Sequence, residues 1–385
     1  MLQRALNRIN FLDIRQSKKG NIKGDVKKNI VFIGAFPPSP NGAAAFGYWL
    51  IKSFKKRDVN VFICPVGGAI QKKLFPKAFF IRKFADIKKI DFAFFILDVG
   101  INKDLLKDVK FPTFLFQTYH NYYDSIDNII SKGRLTTKLI LPTKWAFSEA
   151  VKKEKKDRLG YIPCGVDVAF FKFKEKQINK EKLVFLFCSR LCFYKGITVF
   201  LEAIPLILNE YPDARFIING RQDESDKQYP YPKGDPYKIY NVVENMLDEV
   251  KRKFPNNVQH IENWISSDVL IDLYKKADIL IFPSNNEGFG IPIVEAMSSG
   301  VIPVVMDKPP MNELVFKDCG YVIKEEDWFE DAGIMLPKKE ALFNAVVDII
   351  ENKDLANKLR LNGRKKVEAE YDFEKVVDSI LNLGE

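Results

Sequence analysis

A chain of 385 residues has room for about two domains of ordinary size, and a 46% hydrophobic share excludes general disorder. The formal net charge is +10, but it is unevenly spread: residues 1–150 carry 26 Lys and Arg against 11 Asp and Glu, whereas residues 151–385 carry 34 against 39. No apolar run reaches the roughly 18 residues of a membrane span, and the first eight residues lack the apolar stretch of a signal peptide, so a cytoplasmic protein is expected. The five cysteines are odd in number, and although Cys188 and Cys192 are four apart, no second cysteine or histidine pair completes a zinc site, which argues for buried thiols in a reducing compartment rather than disulfides.

In chain order, residues 1–28 form a basic, poorly periodic extension. Its residues 2–12 read either as an amphipathic helix for a membrane surface or as a frayed terminus. Residues 29–34 are a short apolar, β-branched run ending at Gly34, the pattern of a buried parallel strand. A Pro-rich loop ending in Asn41-Gly42 follows, then a helical pattern over about 43–56 and strands at 59–64, 92–97, 113–116 and 139–141. After Pro163 the pattern restarts, with strands at 182–188, 215–219, 258–261, 279–282 and 302–305. Helices are expected between them, at 197–209, 238–253 and 268–275, and helices fill 338–383. Alternation of this kind predicts an α/β chain of two doubly wound units. The divisions expected are 1–28, 29–165 and 166–369, with a C-terminal helix over about 370–385 returning to the first domain.

Four segments carry chemistry. In Asn286-Glu287-Gly288-Phe289-Gly290-Ile291-Pro292-Ile293-Val294-Glu295, a strand is followed by a glycine turn and a helix start marked by Pro292. Bare backbone at Gly288 and Gly290 and unpaired N–H groups at the helix start suit a phosphate. Two carboxylates beside it would repel that phosphate, so Glu287 and Glu295 make more sense gripping hydroxyls of a sugar and a ribose. Arg190 and Lys195, in Ser189-Arg190-Leu191-Cys192-Phe193-Tyr194-Lys195-Gly196, are five apart on a strand-to-helix loop and could neutralise two phosphates. His120 follows a strand of the first unit, where the residues alone leave a structural or a functional role open. His260 falls inside a strand and reads as structural. Gly42 allows close approach at the start of a helix.

With these residues in view, the chain resembles the retaining family-4 glycosyltransferases of GT-B fold, whose Glu-x7-Glu motif corresponds to Glu287 through Glu295. The resemblance implies two Rossmann-like domains facing across a cleft, with the donor mainly on the second and the acceptor mainly on the first. It assigns Glu287 and His120 to the reacting donor sugar and Glu295 to the nucleotide ribose. Arg190, Lys195, Gly42, Gly290 and Ile291 fall to the diphosphate, and Gly288 and Phe289 to the donor sugar. Where the family often has two glycines, this chain keeps only Gly42. Residues 161–167 match the family's Ile-Pro-x-Gly-Val-Asp segment and are expected to be structural or to line the cleft. No Asp-x-Asp occurs, so no metal and no cofactor are expected; the nucleotide sugar is a substrate.

The implied activity is transfer of a sugar from a nucleoside-diphosphate sugar with retained configuration. Its acceptor would be a glycan or a lipid-linked molecule, reached by peripheral contact with an anionic membrane and not involving nucleic acid. Alternatives are an epimerase or hydrolase of the same fold, or a non-catalytic scaffold. The stretch 222–238 has no assigned role and could be a lid or a partner contact.

Overall fold

The computed structural model describes residues 27–383 apart from 35, 37–41, 55, 66–71, 82, 83, 85, 86, 97–105, 107, 108, 119–124, 230 and 264. Seven strands, β1 (Lys28–Gly34), β2 (Val59–Pro65), β3 (Phe79–Phe80), β4 (Phe92–Ile96), β5 (Thr113–Phe116), β6 (Lys138–Leu141) and β7 (Leu159–Tyr161), form one sheet in the order β3-β2-β1-β4-β5-β6-β7. The pairs from β3 to β6 are parallel, with Ile30 opposite both Val61 and Phe92. Strand β4, Phe-Ala-Phe-Phe-Ile, is buried along its whole length. A strand covered on both faces has no polar side to alternate with, which is why this segment reads as a continuous apolar run. Its Phe94 meets Phe32 edge-on at 5.9 Å, and Phe32 meets Phe54 of the helix Gly42–Phe54 at 5.0 Å.

A second sheet contains β8 (Val184–Cys188), β9 (Arg215–Asn219), β10 (Val258–Ile261), β11 (Ile279–Phe282), β12 (Ile302–Met306) and β13 (Tyr321–Ile323), all parallel, in the order β10-β9-β8-β11-β12-β13. Its order runs one way from β8 to β10 and the other from β11 to β13, so β8 and β11 flank the point where the winding reverses. Helices Ile197–Glu210, Pro236–Lys253, Ser267–Lys276, Ile291–Ser299, Lys339–Glu351 and Lys353–Lys366 accompany this sheet. Buried residues of both layers make one apolar core, including Phe185, Phe187, Phe200, Phe216, Ile279 and Val304. Each fully buried side chain of this size stabilises the fold by about 1.5–3 kcal/mol before its entropy loss is counted.

By backbone proximity the chain divides into two compact units, residues 1–117, 130–140 and 380–385 in one, and 118–129 and 141–379 in the other. Within the second, Val166 forms a parallel bridge with Asp372, its N–H donating to Tyr371 O at 2.8 Å. A Cβ on the neighbouring Gly165 would sit 2.8 Å from the Phe373 ring, so this Gly-Val-Asp segment is a seam closed against residues 371–373.

Most expected elements lie within one or two residues of their observed ends, and both Rossmann-like sheets are present. Strands β3, β7 and β13 and the antiparallel hairpin β14 (Trp328–Asp331) and β15 (Ile334–Pro337) were not anticipated. They are two to four residues long, too short for an alternating pattern to show. The helix start expected at residue 238 lies at Pro236, behind Asp235, whose side chain accepts from Tyr237 N. No described helix is long and apolar enough to cross a membrane.

Candidate functional site

Loops leaving the carboxyl ends of β8 and β11 lie side by side where the second sheet's order reverses, the position at which open α/β sheets bind ligands. The first loop bears Arg190 and Lys195 and ends at Gly196, which has φ 72° and caps the helix Ile197–Glu210. A Cβ at Gly196 would lie 2.4 Å from Pro283 O in the second loop. Only glycine lets the two backbones approach this closely. The contact is reinforced by Asn285 N donating to Tyr194 O at 2.9 Å.

That approach brings Lys195 against the second loop. The lysine is buried, and its Nζ donates to Asn286 O at 2.7 Å. The same nitrogen lies 2.6 Å from Glu287 Oε1 as an ion pair, although that oxygen has no aligned hydrogen-bond donor among the described residues. Both side chains are largely withdrawn from water, so each charge depends on the other.

Gly290, with φ 104°, caps the helix Ile291–Ser299, and Pro292 occupies its second residue rather than the expected first. Ile291 opens the helix and Gly288 is buried in the turn. The Phe289 ring is buried and meets Tyr371 edge-on at 5.9 Å, so only its backbone is available to a ligand at the turn. Glu295 lies about one turn along the same helix, buried, with Tyr274 donating its hydroxyl to Oε2 at 2.8 Å. Burial pushes the Glu295 carboxyl up to about 7, against the pull of the Tyr274 hydrogen bond. Burial, with Glu295 adding to it, also pushes the nearby Cys188 thiol up to about 12.

Arg190 is half exposed, and its Nη1 lies 3.2 Å from the buried Asp226 Oδ1, while Nη2 donates to Tyr194 OH. The Tyr194 ring carries Arg190 on one contact (5.7 Å) and Lys195 Nζ on another (5.2 Å), and it stacks on Tyr229 at 4.1 Å. Tyr194, Asp226, Tyr229 and Tyr274 were not singled out in the sequence. The stretch 222–238, which had no role, carries two of them against the Arg190 loop. An aromatic between two cations was the available signal.

Arg190, Lys195, Glu287, Gly288, Phe289 and Gly290 therefore belong to one pair of loops, and Ile291 and Glu295 to the helix that follows. Gly42 opens the helix Gly42–Phe54 of the other unit. His120 lies outside the described residues. His260 makes a structural contact, its Nε2 2.8 Å from Gly220 O. Among the described residues, no group of three or more His, Cys, Asp or Glu side chains could hold a metal ion.

Residues 169–366 match the family described as glycosyl transferases group 1. The chain is 26% identical over 262 residues to the GDP-mannose:cellobiosyl-diphosphopolyprenol alpha-mannosyltransferase of Xanthomonas campestris, covering 68% of this chain and 60% of the relative. It is 30% identical over 178 residues to the protein of the same name from Xanthomonas oryzae, covering 46% of this chain and 42% of the relative. The matched segment thus spans about half the length of these curated relatives. The structure of Anabaena Alr3699/HepE in complex with UDP and glucose superposes with a TM-score of 0.68 at 14% identity, covering 92% of this chain and 98% of that one. At that identity the likeness establishes the fold, which is GT-B.

The Glu295 environment has a measurable consequence. Its folded-state pKa of about 7 lies above the ordinary 4.5, so the folded chain binds this proton more tightly than the unfolded chain. The associated stability is complete below pH 4.5 and is lost as pH rises through about 7. Glu295→Gln, which cannot ionise, should gain about 2 kcal/mol over the wild type on going from pH 5 to pH 8, read from urea unfolding midpoints. Parallel pH curves for the two proteins would refute this assignment of burial.

Proposed function

The chain belongs to the group 1 glycosyl transferases, and from that premise we propose that it transfers a sugar from a nucleoside-diphosphate sugar to an acceptor with retention of configuration. The observation that carries the reading is the Lys195–Glu287 pair, 2.6 Å apart at the reversal point of the second sheet, beside the glycine turn that opens a helix. Lys195 and Arg190 would meet the diphosphate together with the first N–H groups of the helix Ile291–Ser299. Glu287 would face the donor sugar, and Glu295 the ribose hydroxyls.

In the reaction, the bond from the sugar's anomeric carbon to the diphosphate oxygen breaks and its electron pair leaves with the nucleoside diphosphate. The acceptor hydroxyl attacks from the same face, and its proton passes to the departing phosphate oxygen. Negative charge on the leaving group grows through this step, so cations already fixed at the phosphates lower its barrier without moving. His120 is proposed to face the donor sugar and Gly42 to allow approach of the phosphates. We propose no metal and no cofactor, because the cations and the helix terminus supply the positive charge.

Glu287→Gln should reduce transfer with the cognate donor and acceptor at least a hundredfold, while nucleoside-diphosphate binding persists. Undiminished transfer would remove Glu287 from the reacting end. Donor consumption without any acceptor would favour the hydrolase or epimerase reading.

The acceptor is proposed to be lipid-linked or otherwise anionic. Support comes from the basic residues 1–150 and from the diphosphopolyprenol named in the Xanthomonas relatives. Peripheral contact with an anionic membrane follows from the same charge. Sedimentation with phosphatidylglycerol vesicles should capture the protein at low salt and release it at high salt. Equal capture by neutral phosphatidylcholine vesicles would contradict an electrostatic contact.

A further inference from the structure

Asp226 is a buried carboxylate that no part of the transfer chemistry uses. It sits in the short helical turn Glu224–Gln228, where its side chain accepts from Asp223 N at 3.1 Å and completes a capping box with Asp223. Its other oxygen lies 3.2 Å from Arg190 Nη1. Burial raises the Asp226 carboxyl above its ordinary pKa, and Arg190 is the largest influence pulling it down. The turn is not a loose appendage: Tyr229 stacks on Tyr194 at 4.1 Å, and Tyr231 meets Phe193 edge-on at 5.9 Å. Asp226, Tyr229 and Tyr231 thus hold this segment to the loop that carries both proposed diphosphate cations.

We propose that Asp226 is a positioning residue, which with Tyr194 fixes both η nitrogens of Arg190 and so aims the guanidinium for a nucleoside diphosphate. The inference rests on the donor-site reading above. Two opposing effects set its sign. Holding an arginine in one orientation ahead of binding is worth up to about thirtyfold in affinity. The counter-charge, facing a half-exposed guanidinium, weakens anion binding by about fivefold at most. Orientation therefore wins by about fivefold.

The test is calorimetric titration of the full chain with UDP and with GDP, comparing wild type, Asp226→Asn, Arg190→Ala and the double variant. Asp226→Asn should weaken the nucleotide that binds wild type by about fivefold and leave the matching nucleoside monophosphate within twofold. In the Arg190→Ala background, the same change should have no further effect, because its target is gone. Tighter binding by Asp226→Asn would make Asp226 a mere counter-charge and overturn the proposal. An equal loss in the Arg190→Ala background would also overturn it, as the mark of a general structural role. Should Arg190→Ala itself bind like wild type, the donor-site assignment of Arg190 would fail instead, which separates the two claims.

Discussion

The buried ion pair between Lys195 and Glu287 is the contact on which the rest of the second unit's site depends. Taking either charge out of water alone costs several kcal/mol, so the pair exists only because two loops are held within reach of each other. That closeness traces to Gly196, where any side chain would strike Pro283 O. It also traces to β8 and β11 being adjacent and parallel, so that both loops leave the sheet at the same end. A sequence feature as small as Lys-Gly thereby sets the distance between Lys195 and Glu287, the cation and carboxylate proposed to meet the phosphate and the sugar.

Both cations proposed to meet the donor are held by a carboxylate: Lys195 by Glu287 and Arg190 by Asp226. Tyr194 lies against both cations and is itself stacked on Tyr229. Cations fixed this way need little rearrangement when an anion arrives, which is the condition under which electrostatic stabilisation is cheap in a transition state. Glu295 follows a different logic. It is kept by burial near the neutral side, with Tyr274 as its hydrogen-bond partner, and hydroxyl groups of a ligand would be further partners for it.

Much of this was legible in the sequence because the local signals are strong. Apolar runs of four to seven residues marked β1, β5, β9 and β11, and Pro292 marked the start of the helix Ile291–Ser299 to within one residue. Arg190, Lys195 and Glu287 stood out as charged residues on strand-to-helix loops, and Glu295 as a carboxylate close behind a helix start. The partners that fix them were not legible. Asp226 is 36 positions from Arg190, in a stretch with no periodicity, and Tyr274 reaches Glu295 from another helix. Such contacts depend on how helices and turns pack over a sheet, which one sequence does not encode as a pattern. Strands as short as Tyr321–Ile323 form because β12 already offers an edge to pair with, so their cause is also tertiary.

The central claim is that the β8 and β11 loops hold a nucleoside diphosphate. Its most direct test is a thermal-shift panel of UDP, GDP, ADP and their sugars on wild type and Lys195→Ala. Ligand bound only by the folded chain stabilises it by about 2.7 kcal/mol at a hundred times its Kd. One base should therefore raise the wild-type melting temperature by several degrees, and the same nucleotide should leave Lys195→Ala nearly unmoved. A panel with no shift at millimolar concentration, or an equal shift in Lys195→Ala, would contradict the account.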